Sequence, residues 1–429
     1  MRSDSRKEKG MALVFALLLA VIIVGALTFG AQLLITSLSE SHKQKAIYAQ
    51  GEAIAKAGIA DALSWFRRQQ NQPVASGYPV PPGTYPDAAF YPREDTDTID
   101  ESTGLVKEEL LTPGPPPIYA RYEVKRQSVD NYTNPALTDP DAVHDITGQK
   151  LQDNKTGEGL VWAIQSTGYV YVKRDDTKKF NESPNEVKGR AIISTEFRRI
   201  TIQLPTNSAV FIDRGGSGTR LLRVYTGGKV KGGTGAYGAV RRTGNSAYQQ
   251  TSPSIWGSPS AEYNTSGLNI TPERIFGVPA DELKLMSDYL GDNVSKLPYA
   301  GNKELPAIGI YYIDLPAGQT ATFNETYPLN TSGILFVNGN LEIQSYNPGV
   351  YFTGVIYVNN GTVTIRGPAV ISGTLICNNT GDQYVYIHYT GSTGITEINY
   401  DSDIINSVRQ QLTQYRENKA MYRVHSVLK

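Results

Sequence analysis

The chain has 429 residues, with 41 basic and 41 acidic side chains, so its formal net charge at neutral pH is zero. This balance gives no overall attraction to nucleic acid, and the length leaves room for more than one folded module. Cys377 is the only cysteine, which excludes an intramolecular disulfide. Tyrosine (27) far outnumbers phenylalanine (11), a mixture that is typical of exposed β-structure.

The sequence begins with a basic leader that leads directly into a long apolar run. Four basic residues precede Gly10, and residues 11–31 contain no charged side chain. About 20 apolar residues in a helix span a bilayer, and the positive flank is expected on the cytoplasmic side. We therefore expect residues 11–31 to anchor the precursor in the inner membrane, with the N-terminus in the cytoplasm.

The helical pattern continues beyond the apolar run. No proline occurs between residues 11 and 72, and Pro73 opens a turn-rich region. A stripe at helical spacing follows the apolar run and comprises Ile47, Gly51, Ile54, Gly58, Ala62 and Trp65. The sequence predicts one helix over residues 11–72. A membrane anchor followed by an independent stalk is the alternative.

The start of the chain resembles type IV prepilins, in which a basic leader ends at a glycine before an apolar helix. The alanine-rich segment 48–63, with its Gly-Glu-Ala and Ala-Gly steps, resembles PilX-type minor pilins. The resemblance implies that a prepilin peptidase removes the leader, residues 1–10, by cutting after Gly10, and that the new N-terminal Met11 is methylated. It further implies that the helix packs among the helices of other pilin subunits.

One residue departs from the pattern of the major pilins. Their fifth mature residue is usually a glutamate that pairs with a neighbouring N-terminus, whereas this chain has Phe15. An apolar residue here resembles PilX-type pilins and the tip pseudopilins of type II secretion. A carboxylate in an apolar filament core is costly without a partner, and a subunit at the tip has no preceding amine to neutralise. Phe15 therefore indicates a minor or tip subunit, of either a pilus or a secretion pseudopilus.

Residues 73–205 are expected to form the headgroup. The proline- and glycine-rich stretch 71–118 indicates a loop or surface insertion. Alternating segments then predict strands over 118–126, 160–172 and 190–204. An antiparallel sheet laid across the helix would bury the stripe.

The stretch 206–400 carries near-copies of one short motif. Segments that start at Gly333, Gly354 and Gly373 each run through β-formers to an asparagine, at intervals of about 20 residues. They predict coils of a β-solenoid, with a β-sandwich as the alternative. Residues 209–212 and 227–230 predict an earlier coil, and 240–305 an excursion with one helix over 279–290.

The C-terminal region, residues 401–429, is predicted to be an amphipathic helix and a tail that cap the open end of the solenoid. The predicted fold class is therefore α+β. A long pilin helix packs on an antiparallel headgroup sheet, and an all-β, solenoid-like module follows.

No arrangement of residues indicates an enzyme, a metal site or a cofactor. The four histidines are isolated in sequence, and Cys377 lies in an apolar segment that reads as a buried strand. An anchored β-helix enzyme that acts on polysaccharide remains an alternative, but the repeats carry no cluster of acids and bases. A stretch without acids could bind DNA, polysaccharide or a host surface through Arg220, Arg223, Lys229, Lys231, Arg241 and Arg242. The alternative is an ordinary basic face that acids elsewhere in the fold balance.

The sequence as a whole predicts a structural, non-enzymatic minor or tip subunit of a type IV pilus or pilus-like filament. Its expected partners are other pilin subunits, the prepilin peptidase and the inner membrane, and its final location is the cell surface. The alternative function is a surface adhesin, either borne on the pilus or anchored in the membrane.

Overall fold

A computed structural model describes residues 5–68, 104–125, 139–150, 159–214, 222–225, 227–242, 249–250, 254–301, 303–344, 349–379, 385–388 and 395–427. In the long N-terminal helix, side chains are described from Thr36 onward and at Thr28, Phe29 and Gln32 before it. These parts of the chain form the helix, an antiparallel sheet and a parallel β-solenoid.

The elements before the solenoid are α1 Ser5–Arg68, β1 Gly104–Thr112, β2 Ile118–Lys125, β3 His144–Asp145, α2 Thr147–Lys150, β4 Val161–Val172 and β5 Glu186–Arg199. The first solenoid segment contains β6 Ser208–Arg214, β7 Leu222–Val224, β8 Gly228–Lys231, β9 Tyr237–Arg242, β10 Gln249–Gln250, β11 Ile255–Trp256 and β12 Glu262–Thr265.

Two short helices, α3 Pro272–Phe276 and α4 Ala280–Met286, lead to the second solenoid segment. This segment contains β13 Tyr289–Gly291, a 3-10 helix Val294–Lys296, β14 Ile308–Asp314, β15 Thr320–Phe323, β16 Asn330–Asn338, β17 Asn340–Ile343, β18 Val350–Asn359, β19 Val363–Ile365, β20 Ala369–Asn379, β21 Val385–Ile387 and β22 Thr396–Asn399. The chain ends with α5 Ser402–Leu412, β23 Tyr415–Glu417, a 3-10 helix Lys419–Met421 and β24 Arg423–Val427.

The headgroup is an antiparallel sheet in the order β1-β2-β4-β5-β23, with β24 also on β5 and β3 on β4. The predicted strands 118–126, 160–172 and 190–204 correspond to β2, β4 and β5, although β5 begins and ends earlier. The prediction of a loop over 71–118 is wrong at its end, because β1 pairs along almost its whole length with β2. Residues 69–103, the rest of that predicted loop, lie outside the described residues.

The solenoid consists of two parallel sheets around one apolar core. The long sheet contains β6, β8, β9, β11–β14, β16, β18, β20 and β22, and the short sheet runs β10-β7-β21-β19-β17-β15. Leu335, Ile356 and Leu375 of the long sheet meet Leu341 and Val363 of the short sheet in this core. The predicted coils are therefore present, and the earlier coil at 209–212 and 227–230 is present as β6 and β8.

The order of the coils along the solenoid axis differs from their order in sequence. Neighbours along the axis are β14, β16, β18 and β20, and then β6, β9 and β12. The first segment of sequence thus stacks on the last coil of the second segment. The predicted excursion 240–305 is wrong over its first part, because β9–β12 stay in the solenoid. The helix expected at 279–290 is present as α4 but ends at Met286, because Tyr289–Gly291 forms β13 and pairs with β14. The helix α3, which precedes residue 279, was not predicted.

The repeated glycines lie in one row, since Gly309, Gly333, Gly354 and Gly373 pair in register through successive coils. Their backbones approach closely, and a Cβ atom at Gly354 would overlap the carbonyl oxygen of Gly333. Gly354 also has φ +131°, a region that side-chain-bearing residues rarely adopt. The repeat therefore begins with glycine for both steric and conformational reasons.

The repeated asparagines form a second row, in which the side chains hydrogen-bond from coil to coil. Asn359 Nδ2 donates to Asn338 Oδ1 at 3.2 Å, and Asn338 Nδ2 donates to Asp314 Oδ1 at 2.9 Å. Asp314 ends this row and pairs with Lys284 at 2.6 Å. These two hydrogen bonds lower the pKa of Asp314, that from Asn338 more strongly. The side chains of this row thus find hydrogen-bond partners in the neighbouring coils, which links the coils in a chain that has a single cysteine.

Helices cover the outer face of the long sheet. The rings of Tyr312, Phe336 and Tyr357 stack there, with centroids 4.6 and 4.9 Å apart, and they are buried against α3 and α5. Leu412 and Val408 of α5 belong to this cluster. The prediction that this helix caps the open end is therefore wrong, because α5 packs across the middle strands of the long sheet.

The C-terminal tail returns to the headgroup. β23 and β24 both pair antiparallel with β5, and Tyr415 lies opposite Arg199. Residues 200–414 are consequently an insertion between two neighbouring strands of one sheet. The expected capping tail is instead part of the headgroup.

We predict that Gly354→Ala lowers the free energy of unfolding by about 3–5 kcal/mol, because the new methyl group overlaps the preceding coil. Gly318→Ala is the matched control: Gly318 has φ +80° but no atom within 4 Å of the added Cβ, so the expected cost is about 1 kcal/mol. Thermal unfolding of the purified chain measures both. Equal melting temperatures for the two variants would contradict the stacked-glycine account.

Candidate functional site

The C-terminal part of α1 lies against the headgroup sheet at backbone distance. A Cβ atom at Gly168 of β4 would come within 2.6 Å of the backbone nitrogen of Ala55, and one at Gly58 within 3.0 Å of the Tyr122 ring. Glycine is thus required on both sides of the contact. Gly51, Gly58, Ala62 and Trp65 of the predicted stripe are buried, and Ala55, which lies next to the stripe, is buried as well.

An aromatic cluster fixes the end of this helix. The ring of Phe66 contacts Trp162, Phe197 and Tyr415, with centroids 5.3, 5.6 and 5.0 Å away. Arg67 Nε donates to the carbonyl oxygen of Tyr415 at 2.8 Å, and its partial burial lowers the pKa of Arg67. The helix, the sheet and the returning C-terminal strand therefore meet at one point.

The preceding part of α1 is free of the headgroup. Residues 36–46 are exposed without exception, and Phe29 and Leu38 expose 65% and 57% of their surface. Burial begins at Ile47, and the first fully buried position is Gly51. Residues 36–46 therefore offer an unpacked helical surface that ends where the contact with the headgroup begins.

Three of the predicted site residues lie at the start of this helix. The backbone of Gly10, Met11 and Phe15 falls within α1, but their side chains lie outside the described residues. No helix in the described part of the chain is long and apolar enough to cross a membrane. Side chains of the predicted anchor, residues 11–31, lie almost entirely outside that part, so the anchor and the cleavage position stay predictions.

The predicted basic stretch does not form a single field of unpaired positive charge. Glu397 lies 2.9 Å from the Lys231 ammonium and 3.5 Å from that of Lys229. Two arginines of the stretch also have carboxylate partners: Arg241 pairs with Glu262, and Arg242 pairs with Asp213. Arg223 points outward from β7, and Arg220 lies outside the described residues.

Ion pairs hold the inserted solenoid against the headgroup. Arg198 of β5 is buried and pairs with Glu282 of α4, while Arg416 of β23 binds both carboxylate oxygens of Asp288. Burial raises the pKa of Glu282, and the Arg198 guanidinium opposes this shift. Within the headgroup, Lys150 forms a 2.8 Å pair with Glu196 beside Arg198. The solenoid is therefore joined to the headgroup by two ion pairs, of which one includes a buried arginine, as well as by its two chain crossings.

A group of aromatic rings that no sequence pattern predicted lies on the outer face of the short sheet. Tyr225, Tyr386 and His388 have centroids 5.3–5.9 Å apart. The signal in the sequence is the coil repeat, since Tyr386 and Tyr225 follow inward-facing Val385 and Val224 as outward positions of their coils. Alignment of the short strands by their inward residues places each ring at an outward position, but it does not show that β7 lies beside β21.

Within the described ranges, no group of three or more histidine, cysteine, aspartate or glutamate side chains is placed to hold a metal ion. Cys377 lies in β20 and is buried, as its apolar segment predicts. Burial raises the pKa of its thiol to about 12, so the thiolate is not available as a nucleophile.

Comparisons with known proteins give only a weak structural likeness. No protein-family model matches the sequence, and no curated protein matches it. A solved structure, the competence-associated pilin ComZ from Thermus thermophilus, is similar at 11% identity over 89% of this chain and 97% of ComZ, with a TM-score of 0.22. A superposition this loose carries no argument.

Proposed function

We propose that the chain is a structural, non-enzymatic subunit of a type IV pilus or a related pilus-like filament. It would be inserted in the inner membrane, cut after Gly10 by a prepilin peptidase, methylated at Met11 and assembled through α1. The docked end of α1 would hold the headgroup and solenoid on the outside of the filament.

The division of α1 into a docked and an exposed part carries this proposal. The last turns bury small residues against β4, whereas residues 36–46 contact nothing within the described parts of the chain that would bury them. A helix in water gains most of its stability from packing, so a long unpacked section needs a partner. Neighbouring helices of the same kind would supply that partner along the whole exposed length.

Phe15 supports the finer proposal of a minor or tip position. A subunit at the tip has no preceding N-terminal amine, so it needs no carboxylate at this position, where an unpaired one would be costly. The same residue suits a PilX-type pilin and a tip pseudopilin of a secretion system. The assembled protein would lie at the cell surface in either case.

The alternative function as an adhesin is not favoured by the basic stretch. Lys229, Lys231, Arg241 and Arg242 already have carboxylate partners, which weakens their attraction for an anionic ligand. Binding would therefore need another surface.

We predict that Leu38→Asp reduces incorporation into sheared filaments at least about tenfold. Leu38 is exposed in the isolated chain, so the change spares the fold but puts a charge where a partner helix would pack. Ala60→Asp is the matched control, since Ala60 faces solvent on the docked part of the same helix. Immunoblots of sheared filaments and of membranes measure assembly and insertion separately. Normal incorporation of the Leu38 variant would contradict the proposed surface.

We predict that the mature protein begins at Met11, with a methylated amine. Mass spectrometry of the N-terminal peptide, from membranes with and without active prepilin peptidase, tests this. The peptidase-free sample should retain residues 1–10. Recovery of the intact leader where the peptidase is active would contradict processing at Gly10.

A further inference from the structure

The outer face of the short sheet presents two regular rows of side chains. In the first row, backbone pairing aligns Thr322, Glu342, Thr364, Tyr386 and Arg223 in successive coils. In the second row, the backbone hydrogen bonds of successive coils align Gln344, Arg366, His388 and Tyr225. Neighbouring strands lie about 4.8 Å apart, so each row is a straight line of polar and aromatic groups along the solenoid axis.

This face differs from the outer face of the long sheet. There, the outward rings of Phe336 and Tyr357 are completely buried beneath helices. On the short sheet, the outward residues Thr364 and Tyr386 are only half-buried, while inward Val363 and the other inward residues are fully buried. Among the described residues, no helix packs across this second face, and the outward side chains of Gln344 and Arg366 are exposed on it.

The aromatic rings form the apolar part of this face. Tyr386 and Tyr225 lie in neighbouring coils with centroids 5.3 Å apart, and His388 lies within 6 Å of both. Together they make a continuous ring surface at one end of the rows. An aromatic ring combines a large apolar face with, in tyrosine, a hydroxyl group that can bond to a polar ligand.

The charges on and beside this face are largely balanced. Arg366 pairs with Glu342 at 3.3 Å within the rows, and Lys229 and Lys231 of the adjacent β8 share Glu397. A polymer of phosphates would need a run of uncompensated cations along its path. A neutral polymer needs hydrogen-bonding groups and flat apolar contacts, and both are present in the rows.

We propose that this face, which we call the short-sheet face, binds a neutral polysaccharide chain laid along the solenoid axis. Sugar rings would stack on Tyr225 and Tyr386, and their hydroxyl groups would bond to Thr364, Gln344 and the His388 ring. Hydroxyl, amide and imidazole groups can all donate and accept, which suits sugar hydroxyls of either orientation. This site does not depend on the proposed role in filament assembly.

Affinity electrophoresis of the detergent-solubilised full chain tests the proposal. The neutral probes are hydroxyethyl cellulose and galactomannan, and the charged probes are polygalacturonate and single-stranded oligo-dT. We expect a neutral polysaccharide to retard the chain, and Tyr386→Ser to weaken that retardation about tenfold through the loss of one stacked ring.

Tyr263→Ser is the matched control, since Tyr263 is an exposed ring stacked on Tyr237 in the long sheet, away from the short-sheet face. Thr364→Arg is a second test variant, which keeps the rings but places a long charged side chain across the rows. Melting curves show whether each variant remains folded. Three results would overturn the proposal. They are no retardation by either neutral probe, retardation by the charged probes only, and retardation of the Tyr386 and Thr364 variants that equals that of the unmodified chain.

Discussion

The backbone-distance contact between α1 and β4 is the constraint on which the remaining architecture depends. Only glycine at positions 58 and 168 allows the helix to lie this close to the sheet. The approach brings Phe66 into contact with Trp162 and Tyr415, and so ties the helix to both an early and a late strand of the headgroup. Because Tyr415 belongs to the returning chain, the same contact holds one end of the inserted solenoid.

The solenoid is a large module without disulfides, and stacking of similar coils stabilises it. Each coil buries its apolar residues on the next and satisfies its backbone through parallel pairing, while glycine and asparagine rows fit the corners. Its ends meet in the middle of the axis rather than at its two extremes, because the first segment of sequence stacks on the last coil. The headgroup can therefore hold both ends through a single pair of adjacent strands, β5 and β23.

Local patterns in the sequence predict the elements better than their arrangement. The repeats at Gly333, Gly354 and Gly373 could be recognised because each coil needs glycine at the same position, where the backbones of successive coils pair in register. The first coil has Ser208 where those repeats have glycine, and its place next to β20 depends on contacts between residues more than 150 positions apart. A local pattern in the sequence carries no information about the order in which the coils stack along the axis. For the same reason, the pairing of β24 with β5 could not be predicted.

For the candidate surfaces, too, the sequence predicts local features better than contacts between distant parts of the chain. Exposure of Leu38 follows from a helix longer than the sheet that covers it, and the stripe from Gly51 to Trp65 indicated where docking begins. For the basic stretch, the sequence allows both a ligand-binding patch and a face balanced by acids, and it does not show which acids approach; the distant Glu397 lies beside two of the lysines. The rings of Tyr225 and Tyr386 come together only when the permuted coils are stacked.

Hydrogen–deuterium exchange along α1 tests the central claim most directly, that this helix is docked at one end and available for assembly at the other. Backbone amides of residues 51–66 should be protected both in the detergent-solubilised chain and in sheared filaments. Those of residues 36–46 should exchange rapidly in the isolated chain and become protected in filaments. Equal exchange of residues 36–46 in the two samples would contradict the account.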